Sequence, residues 1–226
     1  MMKKTAIVLF ANLPAFEARA KSLGSFSSQK ATLTISSILT HHFYDLAKKT
    51  TADIFLISTF QQKGENFGEK IANAFADIYA KGFENVICIG NDCPDLNLKD
   101  LQHSITQIEA GNVVLGPTFD GGAYLIGIPK QKFNQQKFQQ ISWESKQTFK
   151  DLSSLFNSDV IELETLADLD KASNFLFSNI DNPLIKDLLN VIKSFKPTFG
   201  LNTDTIKSAF FLVDSSFLKG PPLFSI

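Results

Sequence analysis

The sequence has very little arginine, few cysteines and no long hydrophobic run. Arg19 is the single arginine among 226 residues, so a bidentate guanidinium clamp on a phosphate or carboxylate could come only from that position. Cys88 and Cys93 are the two cysteines, and their spacing fits neither a zinc knuckle nor a disulfide framework. This usage is typical of a reducing compartment, so we expect a cytoplasmic protein in which Cys88 is a small core residue.

The lack of long apolar runs and of a large net charge restricts the kinds of molecule that the protein is expected to bind. No uninterrupted apolar stretch reaches the roughly 18 residues that a membrane span requires. The N-terminal stretch is interrupted by Asn12 and Pro14 and has no small-residue cleavage pattern, which favours a strand over a signal peptide. A formal charge of -1 gives no electrostatic basis for binding nucleic acid. We therefore expect small-molecule partners, with no nucleic acid and no membrane span.

Short apolar runs alternate along the chain with longer stretches of helical spacing. The runs predict strands at 5–11, 53–59, 85–90, 112–117 and 123–128, and the spacing predicts helices at 31–49, 67–82 and 98–111. This alternation is typical of a three-layer α/β/α sandwich with a mostly parallel sheet. Between the last two strands only TFDGG remains, too short for a helical crossover, so we expect one antiparallel excursion and a mixed sheet.

The second half of the chain has weaker signals. It predicts a glutamine-rich loop, a helix beginning near Ser145, a last strand at 159–163 and a helix opened by the turn at 168–170, with a further helix from 182 onward. No repeat or long linker separates domains, so we expect a single domain over 1–226, with a core at 4–178 and a C-terminal helix and tail at 179–226. The tail is predicted to pack on the domain or on a second copy of the chain, which would make a homo-oligomer.

Two acidic residues follow the predicted strand at 85–90, in the stretch GNDCPD. Ligands of open α/β sheets bind beyond the carboxyl ends of the strands. Asp92 and Asp95 therefore face a predicted cleft in which Mg²⁺ or Mn²⁺ and a phosphate could bind to carboxylate oxygens. The alternative is that these residues cap the following helix, an explanation that suits Asp95 better than Asp92.

A third acidic residue, Asp120, precedes Gly121 and Gly122. Paired glycines allow a backbone to approach a ligand closely, but they also suit a plain tight hairpin in which the aspartate forms the turn. Asp168 or Asp170 ends a further segment in the same way. Carboxylates at three loop ends make a metal site plausible, although one sequence does not establish that they converge.

These stretches together resemble a known family. The chain is similar to a bacterial family of uncharacterised glycosyltransferase-like proteins. The stretches that carry the similarity are, in chain order, QQKGENFGEKIANAF, GNDCPDL, VVLGPTFDGGAYLIG, ISWES and LADLD. That family belongs with the nucleotide-diphospho-sugar transferases of GT-A type fold and is related to molybdenum-cofactor and 2-phospholactate guanylyltransferases. The resemblance covers roughly residues 4–178.

The resemblance implies a set of site residues and a cofactor. Asp92 would hold the Mg²⁺ or Mn²⁺ that bridges nucleotide phosphates, Asp170 would be a second metal ligand, and Asp120 would be the catalytic base on the acceptor side. The remaining expected contacts are with the nucleotide sugar or nucleotide and with a small-molecule acceptor: Asn12, Arg19, Lys21, Gln62, Gly64, Asp95, Gly121 and Gly122. We also expect a helix N-terminus near Phe67 to face a phosphate.

The segment after the first strand departs from the family pattern. Nucleotidyltransferase relatives have a glycine-rich loop with a basic residue there, whereas this chain has ANLPAFEARAKSLG, with no glycine before Gly24. The sequence therefore favours a metal-dependent glycosyltransferase with a nucleotide-diphospho-sugar donor. Nucleotidyl transfer from a triphosphate and a catalytically inactive nucleotide-binding module remain as alternatives.

Overall fold

A six-stranded mixed sheet is the centre of the fold. The computed structural model describes residues 4–20, 29–157, 160–169 and 181–195, which lie in the compact unit Met1–Phe195. The strands of these residues run in the spatial order β2-β1-β3-β5-β4-β6. Their bounds are β1 (Thr5–Phe10), β2 (Asp53–Ile57), β3 (Asn85–Ile89), β4 (Val113–Pro117), β5 (Ala123–Pro129) and β6 (Val160–Glu162).

One strand runs against the others. β1 pairs in parallel with β2 and β3, and β4 pairs in parallel with β6. β5 lies between β3 and β4 and is antiparallel to both. The predicted mixed sheet is confirmed, and the carboxyl ends of β1, β2, β3, β4 and β6 all meet at one edge.

Helices cover both faces of the sheet. One face packs against α2, α4 and α7, and the other packs against α3, α5 and α6. The predicted three-layer α/β/α sandwich is therefore confirmed. The helix bounds are α1 (Pro14–Ala20), α2 (Gln29–Ala47), α3 (Phe67–Ala80), α4 (Leu98–Glu109), α5 (Gln135–Gln139), α6 (Thr148–Phe156) and α7 (Pro183–Ser194).

The central strands are apolar because both of their faces are covered. Every residue of β1 is buried, with Ile7 and Leu9 in the core beside α2 and with Ala6 and Val8 in the core beside α3. A strand buried on both sides has a continuous apolar sequence rather than an alternating one. The same burial raises the pKa of the Cys88 thiol to about 12, so Cys88 is an unreactive core residue as expected.

The structure differs from the sequence-based expectation mainly after β1. The strands and the long helices lie within a few residues of their predicted bounds, but α1 occupies a segment for which no helix was predicted. Pro14 stands at its first position, where the fixed φ of proline favours a helix start. The amides of Phe16 and Glu17 both donate to the carbonyl of Leu13, at 2.8 and 3.0 Å, and close the first turn. The short helix α5 also lies in an expected loop.

Part of the C-terminal prediction lies outside the described residues. β6 and α7 confirm a last strand and a helix from 182 onward. The helix predicted after 168–170 and the tail beyond 195 are not described, and the single domain over 1–226 stays a prediction. Across the described ranges, none of the helices combines the length and the apolar character that a bilayer crossing needs.

Asn97, and not Asp95, caps helix α4. Its side-chain oxygen accepts from the amides of Lys99 and Asp100 at 2.9 and 3.3 Å, and the Asp100 carboxylate accepts from the amide of Asn97 at 3.1 Å. This reciprocal capping box satisfies donors that the helix itself leaves unpaired. The alternative that Asp95 is the cap is therefore wrong.

We expect Asn97→Ala to lower the free energy of unfolding by about 1 kcal/mol, the usual cost of losing a helix N-cap. Urea unfolding followed by circular dichroism measures the change. Asn97→Asp is the matched control and should retain most of the stability, since aspartate caps helices about as well. Equal losses in both variants would contradict the capping role.

Candidate functional site

The predicted site residues lie after strands that end at one edge of the sheet. Asn12 follows β1, Gln62 follows β2, Asp92 follows β3 and Asp120 follows β4. Because those strands are mutually parallel, their carboxyl ends share that edge, where open α/β sheets bind ligands. The topology thus brings the four loops to the same side of the molecule.

Asp92 is fixed at the end of β3 by its neighbours in three segments. Its carbonyl accepts from the amide of Leu169 at 2.7 Å, and the amide of Gly90 donates to the carbonyl of Tyr124 at 3.1 Å. A Cβ on Gly90 would lie 2.9 Å from Oδ1 of Asp92, so a side chain there would displace the carboxylate. Gly90 therefore leaves room for this carboxylate close to the end of the strand.

A small cleft lies beside Asp92. It is lined by Glu17, Thr32, Ile35, Ser36, Leu39, Asn91, Asp92 and Leu169. Its volume of about 20 Å³ holds one water-sized ligand and is far too small for a nucleotide. Asn91 is oriented by a hydrogen bond of 2.9 Å from its Nδ2 to the hydroxyl of Thr40. The cleft therefore suits an ion or a water, while a larger ligand would have to lie outside it.

Five of the eight residues that line the cleft carry side-chain oxygen atoms, the type of ligand that Mg²⁺ and Mn²⁺ bind, while Ile35, Leu39 and Leu169 make the rest of the lining apolar. Among the described residues, no three His, Cys, Asp or Glu side chains come together as a metal cluster. One or two carboxylates suffice for Mg²⁺, however, when substrate phosphates and waters complete its coordination. Asp170, the second predicted metal ligand, lies outside the described residues.

Asp95 has a different environment from Asp92. The Nδ2 atom of Asn182, the N-cap residue of α7, donates to Oδ1 of Asp95 at 3.1 Å and to the carbonyl of Pro94 at 2.9 Å. Asp95 is partly buried and joins the loop after β3 to the start of α7. The contacts of Asp95 are thus structural, and its predicted contact with a substrate stays a prediction.

Asp120 is exposed at the tip of the hairpin between β4 and β5. Its Oδ1 accepts from the hydroxyl of Thr118 at 2.5 Å and from the amide of Gly122 at 2.9 Å. The amide of Thr118 donates to Gly122, and the amide of Gly121 donates to Thr118, both at 3.1 Å. This is a tight three-residue hairpin loop with a left-handed glycine at its end. The contacts match the turn-forming alternative, and the catalytic role of Asp120 stays a prediction.

Asn12 and Gln62, the predicted substrate contacts after β1 and β2, each form a hydrogen bond to the loop of the other. Asn12 donates from Nδ2 to Oε2 of Glu17 at 3.0 Å and accepts at Oδ1 from the hydroxyl of Thr59 at 3.3 Å. Gln62 donates from Nε2 to the carbonyl of Ala11 at 3.3 Å. These bonds fix the two loops relative to each other, and the substrate contacts of Asn12 and Gln62 remain predictions.

The other predicted contacts differ in how far the structure describes them. Gly64 has a φ of 134° and lies against the start of α3, where an added Cβ would come within 2.6 Å of the Cβ of Glu69. α3 begins at Phe67 as expected, with Asn66 as its N-cap. Arg19 lies on α1, and Lys21 lies outside the described residues. Gly64 is therefore explained by the turn itself.

Three features at this edge were not found from the sequence. Glu17 and Asn91 line the cleft, and the only sequence signal for Glu17 was an acidic residue in the segment where nucleotidyltransferase relatives have a glycine-rich loop. Phe16 and Phe60 form an edge-to-face pair with ring centroids 5.5 Å apart, and Phe60 is 77% exposed. Contiguous exposed apolar patches mark binding sites more often than single exposed residues do, and these two rings are in contact with each other.

Gly121 supports the hairpin through both its conformation and its size. Its φ is 93°, and an added Cβ would collide with the backbone of Lys146. We expect Gly121→Ala to destabilise the fold by at least about 2 kcal/mol, from backbone strain and overpacking together. Thermal or urea unfolding measures this loss.

Gly111 is the matched control, because it has the same φ of 93° and nothing within 4 Å of an added Cβ. Gly111→Ala should therefore cost only the strain of the left-handed conformation, about 1 kcal/mol. Equal losses at the two glycines would show that the contact with Lys146 is unimportant.

Comparisons with solved structures support the fold. The crystal structure of a "putative nucleotide-diphospho-sugar transferase" from Desulfovibrio desulfuricans G20 matches with a TM-score of 0.70 and 19% identity, over 86% of this chain and 99% of that chain. At such low identity the likeness concerns the fold, which is that of nucleotide-diphospho-sugar transferases.

Two weaker likenesses have TM-scores below 0.5. Rv0371C of Mycobacterium tuberculosis H37Rv, in complex with manganese, matches with a TM-score of 0.42 and 13% identity, over 78% of this chain and 97% of that one. The 4-diphosphocytidyl-2C-methyl-D-erythritol synthase of Anaerococcus prevotii DSM 20548 matches with a TM-score of 0.43 and 10% identity, over 85% and 96%.

The sequence has no match among curated proteins. The resemblance to molybdenum-cofactor guanylyltransferase stays a prediction. Residues 28–145, which include α2, the Asp92 loop and the Asp120 hairpin, match a family described as uncharacterized protein conserved in bacteria (DUF2064). With more than half of its length in that match, the chain belongs to the DUF2064 family.

Proposed function

We propose that the protein is a metal-dependent glycosyltransferase that uses a nucleotide-diphospho-sugar donor. The observation that carries the proposal is the position of Asp92 at the carboxyl end of a central strand, beside a small cleft whose lining includes carboxylate, amide and hydroxyl oxygens. Asp92 would hold Mg²⁺ or Mn²⁺, with Asp170 as the proposed second ligand. A bound divalent cation neutralises the charge of a departing nucleoside diphosphate.

The segment after β1 favours this donor over a nucleoside triphosphate. Backbone amides of a glycine-rich loop usually cradle a triphosphate. Here the segment forms α1, and its described residues 11–20 contain no glycine and place Glu17 at the cleft. A carboxylate repels phosphates, so this wall of the site is unsuited to a triphosphate unless cations intervene.

The hairpin after β4 would face the acceptor. In the proposed reaction an acceptor hydroxyl oxygen bonds to the anomeric carbon of the sugar, the bond from that carbon to the phosphate oxygen breaks, and its electron pair leaves on the nucleoside diphosphate. The hydroxyl proton would pass to Asp120. Oδ1 of Asp120 is held by Thr118 and Gly122, while Oδ2 has no hydrogen bond to the described residues. This geometry supports a carboxylate held in one orientation with one oxygen toward the acceptor.

The released product distinguishes the proposal from its alternatives. Incubation with Mn²⁺, a panel of sugar nucleotides and simple sugar acceptors should release a nucleoside diphosphate. Release of pyrophosphate from a nucleoside triphosphate would instead assign nucleotidyl transfer. A thermal shift caused by nucleotides without release of either product would indicate an inactive binding module.

Asp92→Asn tests the metal site directly. The substitution keeps the side-chain shape and removes one negative charge, so Mn²⁺-dependent affinity for sugar nucleotides should fall at least about tenfold. Calorimetric titration in the presence and absence of Mn²⁺ measures the effect, and circular dichroism checks the fold. Asp45→Asn is the control, because Asp45 is an exposed carboxylate near the C-terminal end of α2 and is not among the predicted site residues. Unchanged Mn²⁺-dependent affinity in the Asp92 variant would refute the proposed site.

Phe16 and Phe60 are proposed to bind the nucleobase. They offer an exposed aromatic surface next to Asn12 and Thr59, at the same edge as Asp92. Stacking on an aromatic side chain contributes about 1 to 3 kcal/mol per base.

Phe60→Ser should weaken nucleotide binding by about tenfold and leave the affinity for Mn²⁺ alone unchanged. Titration with a nucleoside diphosphate and with Mn²⁺ alone measures both quantities. Tyr44→Ser is the control and should leave both affinities unchanged, because Tyr44 is an exposed aromatic residue near the C-terminal end of α2. Wild-type nucleotide affinity in the Phe60 variant would show that the nucleobase does not bind to this surface.

A further inference from the structure

The two most exposed large apolar side chains of the described residues lie at the same edge of the sheet as Asp92. Phe60 and Phe119 are 77% and 70% exposed, whereas the next two, Leu33 and Leu56, are each 41% exposed. Both phenylalanines lie in loops that follow mutually parallel strands, β2 and β4. Single exposed apolar residues are ordinary on a protein surface. The presence of both at the edge of the candidate site requires an explanation.

The order of the strands places these two residues on opposite sides of Asp92. Phe60 follows β2 and Phe119 follows β4, and each of those strands lies two positions from β3 in the sheet. Because neighbouring strands are about 4.8 Å apart, each lies about 10 Å from β3. In a nucleotide-diphospho-sugar, the base and the sugar are at opposite ends of the diphosphate. A donor with its base at Phe60 and its diphosphate near Asp92 therefore extends its sugar toward the hairpin that carries Phe119.

The hairpin that carries Phe119 is held by two other segments of the chain. The amide of Phe119 donates to the carbonyl of Leu166 at 3.2 Å, and the amide of Leu166 donates to the carbonyl of Pro117 at 3.0 Å. The amide of Phe149, in the first turn of α6, donates to the carbonyl of Gly121 at 2.9 Å. The exposed ring of Phe119 is thus attached to a backbone that is fixed in place. A preorganised contact residue loses little freedom on binding, which favours a role in recognition.

The surroundings of the Phe119 ring indicate the chemistry of its ligand. Phe119 offers a flat apolar surface, and the next residue, Asp120, is an exposed carboxylate. A pyranose ring has a complementary surface, because its C–H groups form an apolar face and its hydroxyl groups form a polar rim. Such a ring can pack its C–H face on Phe119 while one hydroxyl lies toward Asp120. An acyclic polyol has similar hydroxyl groups but no flat apolar face.

We propose that Phe119 determines acceptor specificity, and that the acceptor is a pyranose sugar or glycoside whose ring packs on Phe119 with one hydroxyl toward Asp120. The inference rests on the proposed function and names the acceptor class for it. Phe60 and Phe119 then have separate tasks, since Phe60 contacts the base of the donor and Phe119 contacts the acceptor. Packing of the two rings removes apolar surface from water, which favours binding in proportion to the area buried.

Steady-state kinetics with Mn²⁺, a sugar nucleotide and methyl pyranosides separate the two tasks. Phe119→Ser should raise the KM for the pyranoside at least about fivefold, because apolar contact area is lost, and should leave the KM for the sugar nucleotide unchanged. Phe60→Ser should have the opposite effect and raise the KM for the sugar nucleotide alone. Tyr44→Ser is again the control and should have wild-type values for both substrates. Circular dichroism of each variant checks that it is folded.

Conservative variants distinguish packing on a flat ring from general apolar contact. Phe119→Tyr keeps the ring and should retain the wild-type KM for the pyranoside, whereas Phe119→Leu lacks the flat face and should raise this KM. Acyclic alditols should be poor acceptors for the wild type, and Phe119→Ser should not change their use. An alditol that the wild type uses as well as a pyranoside, or an unchanged pyranoside KM in Phe119→Ser, would overturn the inference.

Binding without turnover separates failure of this inference from failure of the proposed function. Saturation-transfer NMR of methyl pyranosides with the full-length protein, Mg²⁺ and a nucleoside diphosphate should show contact in the wild type and lose it in Phe119→Ser. Transfer by the wild type together with unchanged pyranoside contact in Phe119→Ser would overturn the inference and leave the proposed function standing. Pyranoside contact that depends on Phe119 without transfer from any sugar nucleotide would retain the sugar-binding surface and overturn glycosyl transfer. Absence of both in the wild type would overturn both.

Discussion

The hydrogen bond from the amide of Leu169 to the carbonyl of Asp92, at 2.7 Å, is the contact on which the arrangement of the candidate site depends. It joins the loop after β3 to the segment after β6, two parts of the chain that come from opposite halves of the sheet. The amide of Gly90 donates a hydrogen bond to the carbonyl of Tyr124, which connects the same region to β5. Three distant segments thus fix one aspartate. The acidic loop after β3 therefore has its position only when β5 and the segment after β6 are in place.

Tyr124 stabilises the same region through a hydrogen bond and through packing. Its hydroxyl donates to the carbonyl of Glu164 at 3.0 Å, and its ring fills the space that the missing side chain of Gly116 leaves. Burial raises the pKa of Tyr124, with smaller contributions from Asp100, Cys93 and Glu164, so the hydroxyl stays protonated and remains a donor. A glycine in β4 and a tyrosine in β5 therefore act as one packing unit under the candidate site.

The sequence predicted the layers of the fold better than it predicted the site. Strands such as TAIVLF are recognisable because burial on both faces makes the run continuously apolar, and TFDGG is too short for anything but an antiparallel hairpin. The placement of Asp92 followed from the same logic. Asp95 could not be placed in this way, because its contacts depend on Asn182, a residue far away in the chain. Glu17 lines a cleft together with residues of α2 and of the loop after β3, and local patterns carry no information on which segments will share a cleft.

The three-residue hairpin between β4 and β5 has a consequence for how the sheet forms. Every other strand pairing within the described residues joins segments separated by long crossovers, so its loop-closure entropy is larger. A hairpin forms within about 1 to 10 μs, far faster than pairings of high contact order. We therefore expect β4 and β5 to associate early in folding and to present the free edge of β5 as a template. We expect β3 to dock on that edge afterwards, so that the acidic loop is assembled in one of the later steps.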